Sequence, residues 1–188
     1  MENLSVVAVA PEYRADLLVL FGKNGAYSNC WCTWFLLTGR EFDEALPTER
    51  RDELLGCVER GEEPGLLAFR GEVPVGWCAV GPRDRYRRMT SPRARAFKAI
   101  DDRPSWVVNC FYIDKPARGT GVATVLLASA VDHARARGAT RLEGYPDVRG
   151  FTAVGASGMF VGTTGMFEKA GFTEIERRGN RSVMVLDL

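Results

Sequence analysis

Residues 105–123 read SWVVNCFYIDKPARGTGVA, and this stretch decides the fold. SWVVNCFYI is rich in β-branched and aromatic residues, the composition of a strand. Lys115-Pro116 breaks it. Beyond Arg118-Gly119-Thr120-Gly121, an apolar stripe at Val122, Leu126, Ala130 and Ala134 predicts a helix from about 121 to 137, stopped by Gly138. Glycines at 119 and 121 let the backbone come close to a ligand. The first N–H groups of a helix lack partners and carry the positive end of its dipole, so a pyrophosphate is the natural guest. Two other phosphate loops fail on spacing. The dinucleotide pattern G-x-G-x-x-G meets Thr124 where its third glycine belongs, and no G-K-S/T triplet occurs.

Working outward, residues 4–10 predict a strand, and Pro11 opens a helix carrying Tyr13, Leu17, Leu18 and Phe21 up to Gly22. The segment 23–40 is aromatic-rich and aperiodic. Thr48 is a candidate cap for a helix bearing Leu54, Leu55 and Val58. Residues 66–70 and 73–80 flank a glycine turn and read as a hairpin. On the other side, 140–145 is a short strand, 147–158 a glycine-rich loop, and 161–170 a helix ended by Gly171. A hairpin of 172–178 and 181–187 closes the chain. The order β-α-α-β-β-β-α-β-α-β-β predicts one mixed α/β domain over 1–188, with about seven strands, about four helices and no internal repeat.

Composition narrows the function. Of 188 residues, 25 are Lys or Arg and 24 Asp or Glu, a net charge of +1, which argues against a chain-wide nucleic-acid or membrane-surface field. No apolar run has the length of a membrane span, and MENLSVVAVAPEYRAD lacks the basic start of a signal peptide, so a cytoplasmic protein is expected. The five cysteines, 30, 32, 57, 78 and 110, then read as reduced thiols. Cys30 and Cys32 have no second close-spaced Cys or His pair, so no metal site is expected. Residues 82–104 are dense in arginine and read either as a solvated excursion or as an anion-binding edge.

The loop Arg118-x-x-Gly121-x-Ala123 resembles the acetyl-CoA pyrophosphate loop of the GNAT acetyltransferase superfamily, Q/R-x-x-G-x-G/A. FYIDKPARGTGVATVLL resembles the family's strand–loop–helix core, and MFEKAGF at 166–172 its fourth-helix ending. The resemblance spans nearly the whole chain. It implies a central mixed sheet whose two parallel strands, here 105–113 and 140–146, part to admit pantetheine. Phe111, Tyr112 and Ile113 would flank the pantetheine amides, and the backbone of Arg118, Gly119, Thr120, Gly121, Val122 and Ala123 would hold the pyrophosphate. It also implies direct attack of a primary amine of a small molecule on the thioester. A protein N-terminus or lysine acceptor, and a non-catalytic acyl-CoA-binding module, are the alternatives.

The sequence departs from the family at one place. The helix-four tyrosine that many members use as general acid is Phe167 here. Glu143 and Tyr145, on one face of the second parting strand by alternation, are the candidate base and acid. His133, mid-helix behind the loop, is a weaker candidate. Trp31 and Trp34 would line the acceptor site, stacking on or caging an amine, or else plug the core. The C-terminal hairpin leaves an edge on which a homodimer could pair.

Overall fold

A computed structural model describes residues 4–149 and 159–188. Seven strands form one sheet: β1 (Leu4–Ala8), β2 (Gly65–Arg70), β3 (Val73–Pro82), β4 (Trp106–Ile113), β5 (Arg141–Gly144), β6 (Thr173–Arg178) and β7 (Arg181–Asp187), ordered β1-β2-β3-β4-β5-β7-β6. Among these strands β4 and β5 run parallel, and the other neighbouring pairs are antiparallel. Among the described residues the α-helices are α1 (Arg14–Phe21), α2 (Gly39–Glu44), α3 (Pro47–Glu59), the single turn α4 (Arg87–Thr90), α5 (Val122–Ala136) and α6 (Thr164–Lys169).

The expected strands are present, and the helices differ in detail. Helix α2 lies where apolar periodicity predicts no helix, although its cap is written in the sequence. Thr38 and Glu41 form a capping box, the Glu41 N–H donating to Thr38 Oγ1 (3.3 Å) and the Thr38 N–H to Glu41 Oε2 (2.8 Å). Helix α3 starts at Pro47, one residue before Thr48, because proline suits a first helical position. The helix expected over 161–170 shortens to α6, because Gly162 turns left-handed (φ 80°) and Thr163 is the N-cap. The glycine-rich loop at 147–158 lies mostly outside the described residues.

The sheet separates two cores. On one side α1, α3 and the 31–36 segment pack Leu17, Phe21, Trp31, Phe35, Leu54 and Val58 against Leu67, Trp77 and Val107. On the other, α5 and α6 pack Leu126, Leu127, Ala130 and Phe167 against Leu66, Cys78, Val108 and Met184. This burial on both faces explains why β3 reads as a nearly continuous apolar run. The outer strand β6 carries Glu174, Glu176, Arg177 and Arg178 along an exposed edge, a charge pattern that discourages edge pairing.

Two irregularities shape the middle of the sheet. Ala79 pairs with Cys110 and Val80 with Val108, so Asn109 is an extra residue on β4. Such a bulge reverses the alternation beyond it. Val107 and Cys110 therefore lie in one core, Val108 and Phe111 in the other. The second irregularity is the end of the parallel ladder. It holds only Trp106–Leu142, Val107–Glu143 and Val108–Gly144. Strand β4 continues to Ile113 beside β3, while the chain after Gly144 leans on β7, with the Ser182 N–H donating to the Pro146 carbonyl (3.0 Å). The Phe167 ring sits at the last rung, so close that a Cβ on Gly144 would lie 2.1 Å from it.

Gly144→Ala is therefore expected to destabilise the fold by about 1–3 kcal/mol through overpacking. Adding Phe167→Leu should recover part of that loss. Denaturant unfolding of the single and double variants checks both.

Candidate active site

Where β4 and β5 part, a cleft of about 760 Å³ opens. Its first arm follows β4. Phe111, Tyr112 and Ile113 line it, and among the described residues no strand pairs with 109–113 on the side away from β3. Backbone groups on such a side need partners. The chain then makes a tight turn at Lys115–Ala117, and Arg118 folds back so that its Nε donates to the Ile113 carbonyl (3.0 Å). Thr120 Oγ1 donates to the Ala117 carbonyl (2.7 Å) and accepts from Arg70 Nη2 (3.0 Å). These bonds hold Gly119 (φ 75°) and Gly121 (φ 86°) left-handed, and a Cβ on either would meet nothing within 4 Å. Gly121 caps α5 with no side chain over its first N–H groups. The loop is thus an open, positively polarised cradle that suits a pyrophosphate. Of the expected cofactor residues, Phe111, Tyr112, Ile113, Arg118 and Ala123 line the cleft, whereas Gly119, Thr120 and Gly121 form the exposed turn beside it and Val122 is buried beneath.

The opposite wall is aromatic. Tyr27, Trp34, Phe42, Phe97 and Phe160 line it, with Cys30 and Cys32. The two tryptophans divide the roles that the sequence leaves open. Trp31 is buried in the core, 5.8 Å from the Phe21 ring, and plugs the space under the sheet. Trp34 faces the cleft, 4.9 Å edge-on to Phe42. One of its faces is already taken: the Arg88 guanidinium lies 3.7 Å from its ring centroid, and Arg50 lies 3.9 Å from that of Phe42. The two cations held by this pair of rings are the protein's own.

Arg88 illustrates what the arginine-dense segment does. Arg83 pairs with Glu143, Arg85 donates to the Glu62 carbonyl (2.7 Å), Arg87 to the Leu36 carbonyl (3.0 Å), and Arg88 to that of Trp34. These arginines staple neighbouring loops rather than forming a solvated excursion. The segment also delivers Phe97 to the cleft, the one aromatic side chain among residues 87–104.

Glu143 and Tyr145 come together, as strand alternation requires. The Tyr145 hydroxyl donates to Glu143 Oε2 (2.6 Å), and Arg83 Nη1 donates to both (2.7 Å each). Glu143 is only 2% exposed and Tyr145 1%, and the Phe97 ring, 5.5 Å from that of Tyr145, stands between the pair and the cleft. Burial, reinforced by the neighbouring carboxylate, pushes the Tyr145 phenol well above its ordinary range. Neither residue is among those that line the cleft, so the arrangement is a buried clamp that fixes the start of the second arm. Phe167 is likewise wholly buried. His133 packs edge-on against Trp106 (5.8 Å), with Glu63 3.7 Å from its Nε2; burial lowers its pKa, and it stands away from the cleft.

Three thiols border the cleft. Cys110 donates to Cys32, with the sulfurs 3.2 Å apart. That contact and burial raise the Cys32 thiol far above its usual pKa, and burial lifts Cys30 to about 11. Among the described residues no three His, Cys, Asp or Glu side chains converge in a metal-binding group.

The sequence matches the model of the Acetyltransferase (GNAT) family over residues 31–153. Solved structures with similar folds include the PaiA N-acetyltransferase of Thermoplasma acidophilum in complex with coenzyme A, at 13% identity and TM-score 0.56, covering 99% of each chain. A ribosomal-protein-alanine N-acetyltransferase of Brucella melitensis is 16% identical with TM-score 0.54, covering 98% of this chain and 99% of that one. A GNAT-family acetyltransferase of Listeria monocytogenes is 10% identical with TM-score 0.58, covering 98% and 95%. No curated protein matches the sequence.

The two tryptophans are expected to separate experimentally. Trp31→Ala should cost about 3–5 kcal/mol of stability, as for a large core ring. Trp34→Ala should cost only about 1 kcal/mol, the scale of one exposed cation–π contact. Thermal and denaturant unfolding of both variants measure the difference.

Proposed function

The chain belongs to the GNAT acetyltransferase family, and from that footing we propose that it transfers acetyl from acetyl-CoA to a primary amine of a small molecule. The observation that carries this reading is the pairing of an open pyrophosphate cradle with an aromatic-walled cleft at the same strand fork. Acetyl-CoA supplies the acetyl group already activated as a thioester. The amides from Gly119 to Ala123 hold the pyrophosphate, aided by the dipole of α5. The unpaired side of β4 from Asn109 to Ile113 extends along the pantetheine arm, which brings the thioester to the fork. The aromatic wall then holds the acceptor beside it.

Direct attack by the amine is favoured over relay through Cys30 or Cys32. A thiol relay needs a thiolate at neutral pH, and Cys30 and Cys32 are held as thiols. The amine must itself be neutral to attack. Among the described residues no carboxylate lines the cleft, so an ammonium entering it loses hydration without gaining a counter-charge. The cleft selects the neutral amine, the ammonium proton leaving to solvent before attack; as the C–N bond forms the C–S bond breaks, and the nitrogen's surplus proton ends on the departing CoA thiolate through solvent. The buried clamp of Arg83, Glu143 and Tyr145 acts as a positioning group in this scheme, keeping the fork open at a fixed angle.

Gly121→Glu places an anion in the cradle and is expected to abolish acetyl-CoA binding. Calorimetry on the folded variant checks this; unchanged affinity would refute the cradle. The pH profile of kcat/KM for the acceptor should show one rising limb set by the acceptor amine's own pKa. A bell whose lower limb stays fixed across amines of different basicity would point instead to a general base in the protein.

A further inference from the structure

The aromatic cleft carries one charge on its acceptor side. Of the described lining residues none is acidic and two are arginines, Arg118 and Arg181. They stand on different arms. Arg118 follows β4 into the cradle, whereas Arg181 begins β7, beside the segment that continues from β5.

Among the described residues Arg181 has few partners for a guanidinium that is 19% exposed. It offers five donors in a planar fork. Its Nη1 donates to the Tyr145 carbonyl at 3.4 Å, and among the described residues its nearest carboxylate is Asp147 Oδ2, 3.9 Å away. Asp147 is already engaged: Arg149 grips it through Nε (3.0 Å) and Nη2 (2.7 Å) and through its own N–H (2.9 Å). Burial lowers the pKa of Arg181, the mark of a cation short of compensation. Its guanidinium carbon also lies 5.9 Å from the ring centroid of Phe97, so the fork sits at the edge of the aromatic wall. A part-buried charge whose one carboxylate partner is distant has bonding capacity left, and an arginine fork matches a carboxylate in a bidentate geometry.

We propose that the acceptor is a small apolar or aromatic amine that also carries a carboxylate, and that Arg181 binds this carboxylate while the rings of Trp34, Phe97 and Phe160 enclose the apolar body. The inference rests on the small-amine reading above and narrows it. Polyamines and other polycations are disfavoured, because the described lining offers them no anion and two like charges.

The test is CoA release at saturating acetyl-CoA, with phenylalanine, tryptophan and leucine set against phenethylamine, tryptamine, isoamylamine and spermidine. The carboxylate-bearing acceptors are expected to exceed their decarboxylated counterparts in kcat/KM by roughly tenfold or more, the scale of one charge-assisted hydrogen-bonded pair. Arg181→Met should erase most of that preference through KM, with kcat much less affected, and Arg181→Lys should restore part of it. Equal or better turnover of the plain amines, or a preference that survives Arg181→Met, overturns the inference. If Arg181→Met does not fold, the wild-type ratio decides alone. CoA release from none of these amines, with CoA binding intact by calorimetry, overturns the small-amine reading itself.

Discussion

Everything at the candidate site depends on the early end of one β-ladder. Parallel strands gain from continuous pairing, and backbone groups left without partners are costly. Here β4 and β5 share three residue pairs and then separate. The separation is enforced from both sides. Phe167 occupies the space over Gly144 at the last rung, and the chain beyond takes its hydrogen bonds from β7. The Arg83–Glu143–Tyr145 clamp locks the departing segment under the Phe97 ring. One strand edge is thereby left for a ligand with amide groups of its own. The cradle, the aromatic wall and the position of Arg181 are all placed by that fork.

The sequence discloses the part of the site that is local. Strand, cradle and helix are contiguous from Trp106 to Ala136, so their periodicities and glycines show without tertiary knowledge. The seven strands are legible for the same reason. The opposite wall is not, because it is assembled from separate segments: Tyr27, Phe42, Phe97, Phe160 and Arg181 meet only through the fold. Phe97 in particular sits in an arginine-dense stretch whose charges divide: Arg83, Arg85 and Arg87 bond to Glu143 and to backbone carbonyls, while Arg93, Arg95 and Arg103 stay exposed.

Alternation along β5 places Glu143 and Tyr145 on one face, and as geometry that is correct. Alternation says nothing of what covers a face. Arg83, sixty positions from Glu143, supplies the partner that turns two titratable groups into a neutralised cluster. The bulge at Asn109 is equally hidden, since one polar side chain in the otherwise apolar run VVNCFYI does not disclose that the register slips there.

The wall that carries Trp34 has an unusual backbone. Ala26, Ser28, Asn29, Trp31 and Cys32 all adopt positive φ, between 49° and 68°. Each such residue costs on the order of 1 kcal/mol, and the run persists because Trp31 is anchored in the core beneath it. A segment held this way has one acceptable shape and no inexpensive neighbouring ones. It cannot remould itself around successive guests as a compliant loop would. The consequence is breadth of choice: this fork should serve a narrow set of acceptors, and widening that set requires replacing the segment as a unit rather than altering its residues one by one.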